Sequence, residues 1–226
     1  MILAAGRGER MRPLTDHTPK ALLEVGGKPL IFRHLEKLSA AGFRCVVVNH
    51  AHLGALIEAA VGDGSRWGLC VRFSPEAQAL ETAGGIRNAL PLIEAPVFAV
   101  INADVYSEYD YTRLARMVAN PDAGRLAHLV LVDNPPQHPE GDFCLEGGLV
   151  REGGTRRLTF SGIGVYRAAL FDGLARGEKR ALAPLLRACM PGGGVSGEHF
   201  SGAWDDIGTP QRLHDLDARL RQAPAV

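Results

Sequence analysis

The sequence predicts an α/β fold in which a mostly parallel β-sheet is covered by helices on both faces. Short apolar runs alternate along the chain with segments whose apolar residues recur at helical spacing. The apolar runs are nearly continuous rather than alternating, which is typical of strands that are buried on both faces. The predicted strands span residues 2–5, 45–49, 71–74, 97–102 and 127–132.

Helices predicted between these strands complete a doubly wound, Rossmann-like arrangement. They span residues 29–41, 53–61, 85–92 and 111–119. After about residue 135, paired prolines and paired glycines flank a hairpin-like segment. A strand then alternates over 158–166, and helical spacing returns at 181–189 and 210–221. We therefore expect one domain over residues 1–226, with a ligand-binding half at about 1–134 and a second half at about 135–226 that closes over a further substrate.

Composition excludes several classes of partner. The 226 residues suffice for one large domain with its own core. Lysine and arginine total 25, as do aspartate and glutamate, so we expect no nucleic-acid partner and no membrane surface. We expect no signal peptide and no transmembrane helix, which would need roughly 20 apolar residues. The cysteines lack a Cys-x-x-Cys pair, so we expect a cytoplasmic protein with buried, reduced thiols at Cys45, Cys70, Cys144 and Cys189.

The start of the chain carries the most specific motif. Gly6 and Gly8 follow the first strand in a tight turn, and Arg10 and Lys20 come soon after. Glycines let the backbone approach a ligand and direct its N–H groups at an anion, whose charge the cations neutralise. There is no Gly-x4-Gly-Lys-Ser/Thr run as in a P-loop, and Met11 stands where a dinucleotide fingerprint needs its third glycine. We therefore predict a polyphosphate site, with a glycine-rich turn and surface arginines as the simpler alternative.

Two acidic positions predict a divalent metal site. The most apolar strand, 97–102, ends just before Asp104, and ligands of an open α/β sheet bind beyond the carboxyl ends of its strands. A second carboxylate is expected from Asp205 or Asp206, in the run Trp-Asp-Asp-Ile-Gly-Thr. Mg²⁺ takes one or two protein carboxylates and completes its octahedron with phosphate oxygens and water. Capping of a helix N-terminus is the alternative role for these aspartates.

Together these motifs resemble the signature of the sugar-1-phosphate nucleotidylyltransferases. The run Leu-Ala-Ala-Gly-x-Gly-x-Arg-Met, followed by Pro-Lys, carries the likeness at the start of the chain. Residues 102–104, 161–165 and 204–209 extend it over nearly the whole length. The resemblance implies the nucleotidyltransferase fold with a C-terminal sugar-binding half. It also implies an Mg²⁺-dependent enzyme that joins a sugar 1-phosphate to a nucleoside triphosphate and releases pyrophosphate.

The resemblance assigns roles to individual residues. In the family pattern the aspartate two residues before Gly-Thr binds the metal, which selects Asp206 as the partner of Asp104. Lys20 would neutralise the α-phosphoryl oxygens, and Arg10 would stabilise the departing pyrophosphate. The attacking phosphate oxygen is already charged at neutral pH, so alignment and charge stabilisation replace a general base. The residues implied to bind the nucleotide are Leu3, Ala4, Ala5, Gly6, Gly8, Glu9, Arg10, Lys20, Glu76, Gly84, Gly85 and Asn102.

The sugar side departs from the family pattern. The implied sugar-binding residues are Gly141, Asp142, Arg157 and Gly162. However, the Glu-Lys-Pro element that commonly supplies a lysine for the sugar phosphate is missing. An arginine at 156 or 157 replaces that lysine, or the metal and Arg10 hold the phosphate alone.

The likeness implies UTP and N-acetylmuramate 1-phosphate as the first choice of substrates. A carboxylate at Glu76 and backbone N–H groups near Gly84 and Gly85 would suit uracil. Glu76 would also suit the N1–H and N2–H₂ edge of guanine, so mannose 1-phosphate with GTP is an alternative. A catalytically silent nucleotide-sugar sensor is another, although a sensor need not keep both metal carboxylates. A dinucleotide-dependent oxidoreductase is disfavoured by Met11.

Overall fold

The computed structural model describes residues 1–222, and a nine-stranded sheet forms its centre. The strands are β1 (Ile2–Leu3), β2 (Glu24–Val25), β3 (Lys28–Pro29), β4 (Cys45–His50), β5 (Cys70–Pro75), β6 (Val97–Asn102), β7 (Val105–Ser107), β8 (Ala127–Val132), β9 (Phe143–Glu146), β10 (Leu149–Arg151), β11 (Arg157–Arg167), β12 (Val195–Phe200) and β13 (Trp204–Asp206). The helices are α1 (Leu30–Ala40), α2 (Gly54–Val61), α3 (Glu81–Ile93), α4 (Tyr111–Ala119), α5 (Leu182–Cys189) and α6 (Pro210–Gln222).

Strand order across the sheet is β5-β4-β1-β6-β11-β8-β12-β10-β9, and the pairs β2–β3 and β7–β13 form two small sheets beside it. β1 pairs in parallel with both β4 and β6, and β4 pairs in parallel with β5. β11 then runs antiparallel between β6 and β8, while β8 and β12 are parallel. The predicted α/β fold class is confirmed, but the sheet is mixed: its β5-β4-β1-β6 part is parallel, whereas β9, β10 and β11 pair antiparallel with their neighbours. One sheet contains strands from both halves of the chain.

Buried side chains on both faces of the sheet explain the continuous apolar runs. In β6, Val97, Ala99 and Ile101 belong to one core cluster, whereas Phe98 and Val100 belong to a second. The first cluster also contains apolar residues of α1, α2 and α4, and the second contains those of α3 and α5. Helices therefore cover both faces of the sheet, as in the doubly wound arrangement. When both faces of a strand are buried, its sequence does not alternate between apolar and polar residues.

A third apolar cluster joins the two ends of the described chain. Met11, just after the glycine turn, is fully buried there with Leu23. Ile207 and Leu216 enter the same cluster from β13's C-terminal side and from α6. The packing places the segment that carries Asp206 against the segment that carries Arg10 and Lys20.

Two expectations drawn from composition can be compared with the structure. Within residues 1–222 no helix is both long enough and apolar enough to cross a membrane. The expectation of buried cysteines is wrong for two of the four: Cys144 is buried and Cys189 half-buried, but Cys45 and Cys70 are exposed. Each of the exposed pair is the first residue of its strand, at the margin of the sheet.

Candidate active site

Two cavities meet at the carboxyl ends of the central strands. The first cavity is lined by Leu3, Ala4, Ala5, Gly6, Lys20, Ala21, Asn49, Ala79, Glu81, Thr82, Asn102, Ala103 and Asp104. The second cavity is lined by Asn102, Asp104, Val105, Pro135, Gln137, His138, Asp142, Thr159, Phe160, Ser161, Gly162, Trp204 and Asp206. Both walls include Asn102 and Asp104, so ligands in the two cavities would meet beside Asp104.

The turn after β1 is ordered by its own hydrogen bonds and leaves space at Gly6. The carbonyl of Gly8 accepts hydrogen bonds from Thr15 Oγ1 (2.9 Å) and Met11 N (2.8 Å). Gly8 has a φ of +70°, and a Cβ there would lie 3.0 Å from Thr15 Cγ2, so this turn needs glycine. A Cβ on Gly6 would have no neighbour within 4 Å. Gly6 therefore borders open space in which a phosphate group can lie.

Three of the predicted loop residues lie outside the wall of the first cavity. Gly8 provides the positive-φ backbone of the turn. Glu9 is exposed, and its carboxylate lies 3.1 Å from Arg7 Nε. Arg10 is also exposed, and its guanidinium lies beside Gly208, 3.3 Å from where a Cβ of that glycine would be. The other predicted residues of this region, Leu3 to Gly6, Lys20 and Asn102, do line the first cavity.

Lys20 and Asp104 form an ion pair at the junction of the two cavities. The ammonium donates to Asp104 Oδ2 across 84 positions of sequence. The Lys20 side chain is only 14% exposed, whereas that of Asp104 is 36% exposed. Lys20 begins a short 3₁₀ turn directly after Pro19. A cation that is shielded from water acts more strongly on nearby phosphate charge than one at the surface.

Asp206 reaches the same junction through a short antiparallel pair. β13 pairs with β7 so that Asp206 lies opposite Val105, and Ile207 N donates to Asp104 O at 2.9 Å. Asp206 Oδ1 accepts hydrogen bonds from Gln137 Nε2 (2.7 Å) and Arg212 Nη1 (2.5 Å). Asp205 points elsewhere and pairs with Arg219 of α6. The carboxylate on the wall of the second cavity is thus that of Asp206.

The donor set at this junction fits a Mg²⁺ ion that is shared with a substrate. Asp104 and Asp206 supply hard carboxylate oxygens to one cavity. Within residues 1–222, no three His, Cys, Asp or Glu side chains gather in a way that could hold a metal ion. A metal here would take its remaining ligands from substrate phosphates and water, as Mg²⁺ commonly does.

A buried histidine lies beneath the turn that carries Asp104. His34 of α1 is 2% exposed, and its Nδ1 lies 2.8 Å from the Tyr111 hydroxyl. The pKa of His34 is lowered to about 4, mainly by burial and to a smaller extent by the nearby Lys37 charge, against opposing effects of Asp104 and of the Val105 and Ala103 backbone. The imidazole is therefore neutral at neutral pH and supports the turn as an uncharged group.

Glu76 does not line the first cavity, in contrast to its predicted role at the base. Its side chain is buried, with Oε1 accepting from Asn49 Nδ2 (2.6 Å) and Oε2 accepting from Leu80 N (2.8 Å). Asn49 in turn accepts a hydrogen bond from Ala4 N at 2.9 Å and does line the cavity. Sequence reasoning missed Asn49, although a polar residue near the end of a buried strand is the same signal that selected Asp104. The Glu76 carboxylate thus orients Asn49, which lies on the wall of the cavity.

Gly84 and Gly85 are packing positions rather than cavity walls. A Cβ on Gly84 would lie 2.2 Å from Glu178 O, and one on Gly85 would lie 2.7 Å from Asn49 Nδ2. Both glycines therefore allow α3 to approach its neighbours closely. The residues of α3 that do line the first cavity are Glu81 and Thr82, one turn earlier.

The second cavity includes some of the predicted sugar-binding residues and excludes others. Asp142 and Gly162 line it, while Gly141 forms the turn before Asp142 with a φ of +60°. Asp142 Oδ2 accepts from Phe160 N at 2.8 Å. Arg157 is not on the wall, because its exposed guanidinium donates to Asp142 O at 2.6 Å. The neighbouring Arg156 pairs with Asp133 at 2.9 Å.

Sequence reasoning missed three polar residues of this region. Gln137 and Arg212 both bind Asp206, and His138 lies with its Nε2 3.1 Å from Asp142 Oδ1. Among the residues that line the second cavity, His138 is the one with a basic side chain. The loop that holds it follows Pro135 and Pro136 and has no regular period, so no sequence pattern indicated its direction.

A glycine turn that borders open space, a shielded lysine and two carboxylates on one cavity wall are typical of enzymes that transfer a phosphorus-containing group. Comparison with known proteins makes this specific: residues 1–145 match the Nucleotidyl transferase family, and the chain belongs to that family. The predicted family is confirmed.

Three relatives illustrate the likeness. The chain is 51% identical to an N-acetylmuramate α-1-phosphate uridylyltransferase of Neisseria meningitidis, over 96% of both chains. It is 34% identical to the protein of the same description from Caulobacter vibrioides, over 99% of this chain and 97% of the relative. Among solved structures, the inositol-1-phosphate CTP transferase from T. maritima superposes with a TM-score of 0.77 at 17% identity, covering 100% of this chain and 96% of that one. The last similarity concerns the fold alone.

Proposed function

We propose that this enzyme joins UTP to N-acetylmuramate 1-phosphate, forming UDP-N-acetylmuramate and releasing pyrophosphate. The observation that carries the proposal is the meeting of two cavities at Asp104, one beside a phosphate-binding turn and one lined by polar groups. The choice of substrates is supported by the identity of 51% to the Neisseria uridylyltransferase. Because the co-substrate is a nucleoside triphosphate, we place the reaction in the cytoplasm, where it would return a cell-wall sugar to use.

In this proposal UTP occupies the first cavity. Its base lies beside Asn49 and the start of α3, where Glu81 and Thr82 line the wall. Its phosphates pass the open space at Gly6 and extend toward the exposed guanidinium of Arg10. Loop N–H groups and cations together suit a chain of phosphates.

The chemistry requires no general base from the protein. A phosphate oxygen of the sugar 1-phosphate, already ionised, attacks the α-phosphorus of UTP, the bond to the bridging oxygen breaks, and pyrophosphate leaves. Lys20 neutralises the equatorial oxygens as negative charge builds on them, and Arg10 receives the pyrophosphate. Removing one such preorganised charged group costs on the order of 10²–10³ in rate.

Asp104 and Asp206 would hold Mg²⁺, which when bound neutralises phosphate charge at the junction of the cavities. In the structure the same two carboxylates are held by Lys20 and Arg212. The protein thus balances their charge before a substrate arrives and keeps both side chains directed at the junction.

His138 is our candidate for the hydrogen-bond donor that replaces the missing lysine of the sugar side. It lines the second cavity, and Asp142 orients its ring at 3.1 Å. We expect His138→Gln to raise the KM for the sugar 1-phosphate about tenfold, the order of one lost charge-assisted hydrogen bond, with the KM for UTP unchanged. Arg156→Gln, at an exposed residue off the wall, is the matched control. Equal KM values for the sugar 1-phosphate in the two variants would remove His138 from this role.

The proposed function is tested by measuring pyrophosphate release with Mg²⁺ over a grid of substrates. The nucleotides are UTP, GTP, dTTP and CTP, and the sugars are the 1-phosphates of N-acetylmuramate, N-acetylglucosamine, mannose and glucose. We expect one strong combination, UTP with N-acetylmuramate 1-phosphate. Strong release with GTP and mannose 1-phosphate would replace the substrates and keep the mechanism. Release from no combination, with nucleotide-sugar binding still detectable, would favour a sensor.

A further inference from the structure

Two exposed thiols lie side by side at the edge of the sheet. Cys45 of β4 and Cys70 of β5 are partners in the register of the parallel pair, and both are free and exposed. β5 is the edge strand, so no further strand covers this pair. They begin their strands, whereas the cavities of the active site lie at the opposite, carboxyl ends.

The register of adjacent strands places these two cysteines at a spacing that a disulfide can span. Neighbouring strands are about 4.7–4.9 Å apart, and side chains at partner positions leave the same face of the sheet. Disulfides join residues whose Cα atoms are usually about 4.4–6.8 Å apart, and the spacing of neighbouring strands falls inside that range. Next to this pair, Cys70 N donates a hydrogen bond to Arg44 O at 2.8 Å, which links the starts of the two strands.

A cation lies beside one of the two thiols. Arg72 is two residues beyond Cys70 on the same face of β5, and its Nη1 lies 3.0 Å from Glu94 Oε1. The pKa of Arg72 is raised mainly by Glu94, with a smaller contribution from its contact with Cys70. Disulfide exchange proceeds through a thiolate, and Arg72 lies where it can pair with that negative charge, so Cys70 is the thiol placed to attack first.

We propose that Cys45 and Cys70 form a redox-active dithiol that exchanges with low-molecular-weight disulfides. The Cys70 thiolate attacks one sulfur of R–S–S–R, and one R–S⁻ leaves. The Cys45 thiolate then attacks Cys70 Sγ of the mixed disulfide, and the second R–S⁻ leaves. Two protein thiols and one R–S–S–R thereby give one protein disulfide and two R–SH, and two electrons pass from the protein to the small disulfide.

The surroundings favour a reversible bond over a permanent one or a metal. Exposed disulfides are the labile ones in exchange with the thiol pool. The described part of the chain brings no third metal-ligating side chain to this pair, so a structural zinc site is not supported. Cys144 is buried, and burial raises the pKa of the half-buried Cys189 thiol. These two cysteines are therefore internal controls.

The test is incubation of the full-length protein with oxidised glutathione, followed by acid quenching, alkylation of free thiols and peptide mass mapping. We expect wild-type protein to lose two alkylatable thiols, joined as a Cys45–Cys70 disulfide within one chain, and to recover both with reduced glutathione. Cys45→Ser should stop at a glutathione adduct on Cys70. Cys70→Ser should slow the first exchange on the order of tenfold, whereas Cys189→Ser should match the wild type.

Three results would overturn the proposal. One is glutathione adducts on both cysteines of the wild type with no cross-link between them. Another is a disulfide between two chains on a non-reducing gel, which would make this strand edge an intermolecular contact. The third is both thiols remaining free at oxidant levels that modify Cys189. Pyrophosphate release by Cys45→Ser, at a position outside both cavities, checks that this variant is folded.

Discussion

Substitution of Glu76 by glutamine should destabilise the protein although it removes only a charge. The Glu76 carboxylate accepts two hydrogen bonds, from Asn49 Nδ2 at 2.6 Å and from Leu80 N at 2.8 Å. Glutamine has one oxygen and one NH₂ group in those places, so one of the two donors would face another donor. Rotating the Asn49 amide would restore that contact, but Asn49 Oδ1 would then lose its hydrogen bond from Ala4 N.

The expected cost follows from burial. Glu76 is 7% exposed, so water cannot replace the lost partner. A hydrogen bond to a buried charged group contributes about 1.5–3 kcal/mol, and we expect Glu76→Gln to lower the free energy of unfolding by about 2 kcal/mol. The KM for UTP should also rise, because Asn49 lines the first cavity.

Urea unfolding measures this cost, with Glu36→Gln as the matched control. Glu36 carries the same charge, but its side chain is 42% exposed in a surface pair with Lys28. Such pairs contribute about 0–1 kcal/mol. A midpoint for Glu76→Gln that equals that of Glu36→Gln, with the same slope, would refute the assignment of Glu76 as the support of Asn49.

Three further predictions test the site and its surroundings. Lys20→Ala and Asp104→Ala should each slow pyrophosphate release on the order of 10²–10³-fold with the fold retained by circular dichroism, and near-wild-type turnover would defeat their roles. Gly6→Ala should leave the unfolding free energy within about 0.5 kcal/mol, since its Cβ meets nothing within 4 Å, but raise the KM for UTP; an unchanged KM would place the phosphates elsewhere. Between pH 6.5, the ordinary pKa of histidine, and about pH 4, its pKa in the folded protein, His34 binds a proton only in the unfolded state. The free energy of unfolding should therefore fall by about 3 kcal/mol as the pH drops through that range. In His34→Gln the unfolding free energy should depend less on pH there, and an unchanged slope would argue against a neutral, buried imidazole.

The strands and helices that could be predicted are those whose burial leaves a pattern in a short window. β6 and β8, buried on both faces, and α4, with its apolar stripe, have the predicted bounds. The antiparallel insertion of β11 between β6 and β8 could not be predicted, because the choice of neighbour depends on contacts distant in sequence. The two- and three-residue strands are too short to show any period. β1 ends at Leu3, earlier than predicted, because Ala4 N donates to the Asn49 side chain.

Within the site, sequence located the segments better than the side chains. The end of an apolar strand placed Asp104 at the junction of the cavities, because strand ends follow directly from the fold. The orientation of Glu76 depends on donors at positions 49 and 80, which no local pattern contains. Arg157 and His138 show the same difficulty. Arg157 was predicted to bind the sugar and lies off the wall, whereas His138 was not predicted and lies on it, because the position of each depends on how the two loops fold together.

The active site also depends on apolar residues far from its charges. The loop of Arg10 and Lys20 and the segment of Asp206 are separated by about the whole chain, and the third cluster holds them together. Met11, which disfavoured a dinucleotide fingerprint, is fully buried in that cluster. A third glycine there would remove the side chain that packs with Ile207, next to Asp206. Met11, which excludes the dinucleotide fingerprint, is therefore also one of the apolar contacts by which the fold brings Asp206 to the side of the site that holds Asp104.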